Sequence, residues 1–154
     1  MAIAARPLTL LPEDSPLLSA SATALPRPTI VVIDDIPDLV DSVVMLLEMS
    51  GYDAFGETAG ASGVRKSTEV GAELVVLDFL LPEMNGAEIG TALRAEPSLA
   101  ALKILMLSAT PEAMVRHSFT AYDGFLAKPV FAEDLLAAID KLIGSGTTSP
   151  RLPS

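Results

Sequence analysis

Residues 29–51 read Thr29-Ile30-Val31-Val32-Ile33-Asp34-Asp35-Ile36-Pro37-Asp38-Leu39-Val40-Asp41-Ser42-Val43-Val44-Met45-Leu46-Leu47-Glu48-Met49-Ser50-Gly51. Residues 29–33 are a β-branched, apolar run, as expected of a strand covered on both faces. The run ends in two acids. Pro37 then suits the first turn of a helix. Leu39, Val40, Val43, Val44, Leu47 and Met49 follow at helical spacing until Gly51 stops the helix. A strand passing into an amphipathic helix is the first half of a βαβ unit.

The alternation continues downstream. Residues 52–57 predict a short edge strand, and 61–70 a weak helix softened by Gly63. Residues 73–77 predict a strand ending at Asp78, and 86–95 a helix that stops before Pro97. Residues 103–107 predict a strand ending at Ser108, and 111–121 a helix. Residues 124–127 predict a strand ending at Lys128-Pro129. Phe131, Leu135, Leu136, Ile139 and Leu142 mark a last helix, closed by Gly144. Five strands alternating with five helices predict a mostly parallel sheet in a three-layer α/β/α domain, with right-handed crossovers.

The flanks differ in composition. Residues 1–28 hold Pro7, Pro12, Pro16, Pro26 and Pro28 without a sustained period, and are read as a Pro-rich N-terminal extension. Residues 144–154 are read as a flexible C-terminal tail. Residues 29–143 remain as the domain. The whole chain has 154 residues, half of them apolar, which is ample for one core. Its 20 acids against 10 Lys and Arg give a net charge of −10. That disfavours non-specific binding to nucleic acid and adhesion to an anionic membrane. Cys is absent and His occurs once, which excludes thiolate chemistry and argues against zinc. The densest apolar stretch, 74–81, is broken by Asp78 and falls far short of the ~20 residues of a spanning helix. The short run 8–11 sits between Pro7 and Pro12 and does not read as a signal peptide. A cytoplasmic protein is expected.

Position carries the chemistry. Asp34-Asp35, Asp78, Ser108 and Lys128 each follow directly on an apolar strand. In an open α/β sheet, ligands bind at the carboxyl ends of the strands, so these side chains should converge on one rim. Clustered carboxylates repel one another unless a cation joins them. An oxygen-only set suits Mg²⁺, leaving room for waters and a phosphate oxygen. The lysine balances charge and can hold a phosphoryl oxygen, and the hydroxyl can donate to another.

Four motifs occur in order: Val-Val-Ile-Asp-Asp at 31–35, Leu-Asp-Phe-Leu-Leu-Pro-Glu-Met-Asn-Gly at 77–86, Leu-Ser-Ala at 107–109 and Phe-Leu-Ala-Lys-Pro at 125–129. Over residues 29–143 the chain resembles the receiver domain of two-component response regulators, of the stand-alone type. The resemblance implies a doubly wound, flavodoxin-like fold with strand order 2-1-3-4-5, which a member of this family illustrates in general accounts of the fold. It implies that Asp78 is the phosphoacceptor, taking a phosphoryl group from a phosphohistidine donor. Asp35 is implied as a direct Mg²⁺ ligand, Asp34 as a ligand mainly through water, and Asp78 and the Leu80 carbonyl complete the set. Lys128 would bridge to the phosphoryl group, Ser108 would swing toward it, and Phe125 would turn inward behind Ser108. Pro129 would follow a cis peptide bond. The implied partners are a histidine kinase or histidine phosphotransfer protein, and a downstream protein or second copy meeting the face of the fourth helix, fifth strand and fifth helix. No nucleic acid and no membrane are expected. The implied role is phosphoacceptor signalling or phosphorelay, not an enzyme beyond its own phosphotransfer and dephosphorylation.

Three positions depart from the commonest pattern of the family. Leu80 is apolar two residues after Asp78, Thr110 is short and neutral two residues after Ser108, and Phe125 lacks the hydroxyl of a Tyr. Competing readings were a degenerate receiver acting as a scaffold, a flavodoxin-like FMN-binding protein and a phosphatase with an aspartate nucleophile. The FMN reading lacks a Ser/Thr/Gly-rich phosphate loop after the first strand. The phosphatase needs a second acid two residues after its nucleophile, where Ile36 and Leu80 stand.

Overall fold

Residues 27–144 are described by a computed structural model. Five strands form one sheet: β1 (Thr29–Ile33), β2 (Asp53–Glu57), β3 (Leu74–Asp78), β4 (Lys103–Ser108) and β5 (Gly124–Ala127). Their order is β2-β1-β3-β4-β5, and every neighbouring pair is parallel. The helices are α1 (Pro37–Met49), α2 (Gly60–Val70), α3 (Gly86–Arg94), α4 (Glu112–Val115) and α5 (Ala132–Ile143), with a 3₁₀ turn at Pro97–Leu99. The expected doubly wound α/β/α architecture is the one observed.

The core follows from the two-residue period of a strand. Ile30, Val32, Leu74, Val76, Leu105 and Leu107 point to one side, where Leu47 of α1 and Leu135 and Ile139 of α5 cover them. Val31, Ile33, Val75, Leu77, Ile104 and Met106 point to the other, against Ile89 and Leu93 of α3 and against Val115 and Phe119. β1, β3 and β4 are thus buried on both faces, which is why they read as unbroken apolar runs. β2 lies at the edge, as expected. Gly63 is less a weak point than a point of contact: a Cβ there would stand 2.4 Å from Ile33 Cδ1, so the glycine lets α2 close on β1. Gly71 closes α2 in the left-handed conformation.

Several sequence expectations are corrected. The fourth helix shrinks from 111–121 to the single turn Glu112–Val115. His117, Ser118 and Thr120 are weak helix formers, and Ala121 is drawn away to α3 by Arg94. Phe119 therefore reaches the core from a turn. Among the methionines, Met106 is buried and Met84 lies against the core, while Met45, Met49 and Met114 are exposed. Phe131 precedes α5 as its N-cap and is 63% exposed rather than buried with Leu135. The 3₁₀ turn was not anticipated.

Of the N-terminal extension only Arg27 and Pro28 fall within the described residues, and of the C-terminal tail only Gly144; both expectations otherwise lie outside them. Arg27 donates to the carbonyls of Glu48, Gly51 and Tyr52 at 2.9–3.0 Å, satisfying acceptors left open at the end of α1. Among the described residues no helix is long and apolar enough to cross a membrane.

Candidate functional site

The sheet register brings the rim residues to one level. Ile33 of β1 pairs with Leu77 of β3, and Leu77 with Met106 of β4, while Asp78 pairs with Leu107. Ser108 pairs with Ala127, and the Lys128 N–H donates to the Ser108 carbonyl at 2.8 Å. Each polar residue therefore leaves its strand at the same height. The Lys128–Pro129 peptide is cis.

Asp34, Asp35 and Asp78 each offer a carboxylate oxygen, and the three lie within 4.8 Å of one another. Asp34 and Asp78 are buried, Asp78 to 6% exposure, and Asp35 is turned further to solvent. Asp34 and Asp35 do not cap α1: Ile36 is its N-cap, without a side-chain cap bond. Instead Asp34 Oδ1 accepts the Ile36 N–H at 3.1 Å, holding the turn that leads into the helix. Lys128 Nζ stands 3.3 Å from Asp78 Oδ1 and 3.4 Å from Asp34 Oδ2.

Burial pushes the Asp78 carboxyl above the ordinary carboxylate range, and repulsion from Asp34 adds to this; Lys128 offsets part of it. Burial also works against the Lys128 ammonium, but the charges of Asp78 and Asp34 outweigh it and hold the lysine above its ordinary value. One ammonium thus faces three carboxyl groups. An all-oxygen donor set with excess negative charge fits Mg²⁺, which takes few protein carboxylates and keeps waters.

The structure brings Asp34, Asp35, Asp78 and Lys128 together. Ser108 reaches the same rim and is buried, but its hydroxyl is engaged elsewhere. It accepts the Thr110 N–H at 2.8 Å and donates to the Thr110 carbonyl at 3.0 Å. Leu80 donates its N–H to Asp78 Oδ1 at 3.4 Å, and its side chain is 57% exposed beside the acid. Phe125 is partly buried against the α3 side of the core, its ring 5.8 Å from that of Tyr122. His117 is exposed.

Three supporting features were not found in the sequence. Asn85 and Glu88 form a capping box that starts α3, which leads away from the Asp78 loop; the Asn-x-x-Glu spacing was the available signal. Arg94 of α3 donates to the carbonyls of Leu102 and Ala121 and pairs with Asp123 at 2.7 Å. Asp123 in turn accepts the Ile104 N–H at 2.8 Å. Tyr122 joins Glu112 and Arg116. The Arg94 and Tyr122 partners are brought together by the fold, so no local motif announces them.

Residues 30–140 match the family model described as the response regulator receiver domain. Among curated proteins, the DNA-binding dual master transcriptional regulator RpaA of Synechocystis is 31% identical over 118 residues, covering 75% of this chain and 49% of its own. The transcriptional regulatory protein PrrA of Mycobacterium bovis is 29% identical over 130 residues, covering 82% and 56%. The chain thus spans about half the length of the curated relatives it matches. Among solved structures, the chemotaxis response regulator CheY4 of Vibrio cholerae has a TM-score of 0.70 at 24% identity, covering 76% of this chain and 99% of its own. The response regulator TrrA of Thermotoga maritima, in complex with Mg²⁺-BeF, has a TM-score of 0.68 at 25% identity, covering 75% and 99%.

Proposed function

The chain belongs to the response regulator receiver domain family, and from that premise we propose that Asp78 is its phosphoacceptor, charged by a phosphohistidine donor in two-component signalling. The observation that carries this reading is the convergence of three carboxylates within 4.8 Å, with Lys128 between the two buried ones.

Receiver domains bind Mg²⁺ at their acidic site, and here Asp35, Asp34, Asp78 and the Leu80 carbonyl would hold it. When bound, the ion neutralises charge on phosphoryl oxygens. The chain's own residues do the rest. An Asp78 carboxylate oxygen attacks phosphorus in line; the new P–O bond forms as the P–N bond to the donor imidazole breaks, and the imidazole leaves with the electron pair. Lys128 pairs with a phosphoryl oxygen in place of the free carboxylate. Ser108 gives up its Thr110 contacts and donates to another oxygen, and Phe125 turns into the space it leaves. The result is a population shift at the face of α4, β5 and α5, read by a protein partner or a second copy.

A net charge of −10 supports a protein target over nucleic acid. The relative RpaA is named as DNA-binding, and gel retardation with the charged protein separates the two outputs. We read residues 29–143 as the receiver unit of a cytoplasmic regulator. The size of the native protein in fractionated source cells tests this. Phosphorylation is tested with acetyl phosphate and Mg²⁺, followed by intact mass. Wild type should gain one phosphoryl group and Asp78→Asn none. Equal uptake by the variant removes Asp78 from the role. Phosphotransfer profiling against the histidine kinases of the source organism identifies the donor.

A further inference from the structure

Tyr122 has no part in the chemistry above, yet it contacts both α4 and Phe125. Its hydroxyl donates to Glu112 Oε2 and accepts from Arg116 Nη1 at 3.1 Å. Glu112 is the first residue of α4 and Arg116 its C-cap, so one oxygen ties both ends of the helix. The two charged residues also pair with each other at 3.7 Å. The centroid of the Tyr122 ring is 6.4 Å from that of Phe119 and 5.8 Å from that of Phe125.

The residues on either side of Tyr122 are fixed. Arg94 holds the Ala121 carbonyl from two nitrogens and the Asp123 carboxylate at 2.7 Å. The Asp123 N–H donates to the Ile104 carbonyl at 2.8 Å. Tyr122 is therefore a post set between α3 and β4. α4 is tied to it through Glu112 and Arg116 while Val115 packs into the core, and a single helical turn has few internal hydrogen bonds of its own. Phe125 packs against the same ring.

We propose that Tyr122 is a positioning residue, a latch that holds α4 and Phe125 in the arrangement described here and must release for modification of the pocket to rearrange the α4–β5–α5 face, a role that presupposes Asp78 as phosphoacceptor. The latch favours the resting arrangement. By linkage, a ligand that favours the released arrangement binds more weakly while the latch is intact.

Tyr122→Phe keeps the ring and removes both hydrogen bonds. Two bonds to charged partners near the surface predict roughly tenfold faster amide exchange at residues 112–119. Beryllofluoride with Mg²⁺, titrated by ¹⁹F NMR, should bind about 3–10-fold more tightly than to wild type, because the released state is already more populated. Glu112→Ala breaks the same tie from the exposed side and should shift both readings the same way. The double variant should fall short of the sum of the two single effects, since both break the Tyr122–Glu112 bond. Unchanged beryllofluoride affinity in Tyr122→Phe overturns the latch even if α4 exchanges faster, for then the tyrosine only stiffens the fold. Additive effects overturn it as well. Wild type that binds no beryllofluoride at all overturns both the latch and the phosphoacceptor reading, which separates the two failures.

Discussion

Lys128 Nζ lies 3.3 Å from Asp78 Oδ1 although their strands are not neighbours: β4 runs between β3 and β5, and the contact is made over its end. The reach of a lysine stem over one strand, starting from the turn after β5, makes this possible. It also means that three strands must end in register for the pair to form.

Removal of the ammonium tests that arrangement. Lys128→Met keeps the stem and leaves Asp34 and Asp78 buried without their cation. Charging by acetyl phosphate should fall by ~10²-fold, as when one preorganised electrostatic contact is lost. Stability without divalent ions should drop by roughly 1–3 kcal/mol, less than for a fully buried pair because the lysine keeps some solvent. Urea unfolding and timed mass spectra measure the two. Undiminished charging would leave Lys128 as a structural counter-ion.

The Asp78 carboxyl carries the opposite sign. Its pKa is raised on folding, so the folded state binds its proton more tightly than the unfolded one. Stability contributed by this group is therefore greatest in acid and declines as pH rises from the ordinary carboxylate range through the raised value. At neutral pH the buried charge is a burden. Asp78→Asn should raise stability by roughly 1–2 kcal/mol in the absence of Mg²⁺. Mg²⁺ should raise the melting temperature of wild type more than that of the variant. Equal responses to Mg²⁺ would detach the ion from Asp78.

Leu80 is expected to lengthen the lifetime of the modified state. It is two residues beyond Asp78, more than half exposed, and does not pack away against α3. Its side chain offers no donor or acceptor to orient a hydrolytic water. A general acid or base is worth at least ~10²-fold; orientation alone is worth less, so Leu80→Asn should speed loss of phosphate by about 3–10-fold. Matching decay curves for the two proteins would refute water exclusion.

The Ser108–Thr110 contact should break on activation. Both hydrogen bonds of the hydroxyl go to the Thr110 backbone. Beryllofluoride with Mg²⁺ should therefore shift the amide resonances of residues 108–128, Thr110 among the largest. Shifts confined to residues 34, 35, 78 and 80 would show a pocket that fills without transmitting.

Arg94 is expected to matter chiefly for stability. Arg94→Ala strips partners from two backbone carbonyls and from Asp123, at a cost of roughly 1.5–3 kcal/mol. Charging of Asp78 under native conditions should not fall. A loss of charging in folded variant protein would give Arg94 a wider role than holding β5 in place.

The sequence alone determined the sheet, the layers and the rim. Strand and helix announce themselves through periods of 2 and 3.6 residues, and a polar residue that ends an apolar run marks a strand's carboxyl end whatever the tertiary contacts. Asp34, Asp35, Asp78, Ser108 and Lys128 were legible for that reason. Only the tertiary structure decided how those groups are paired, that Ser108 is occupied by Thr110, and that α4 is one turn long. Val115 and Phe119 have helical spacing, but Arg94 binds the Ala121 carbonyl and the segment yields to that contact. Tyr122, Arg94 and Asp123 were illegible because what each does is set by partners on other elements. A side chain's local pattern tells which way it faces; what it meets there depends on where the rest of the chain has folded.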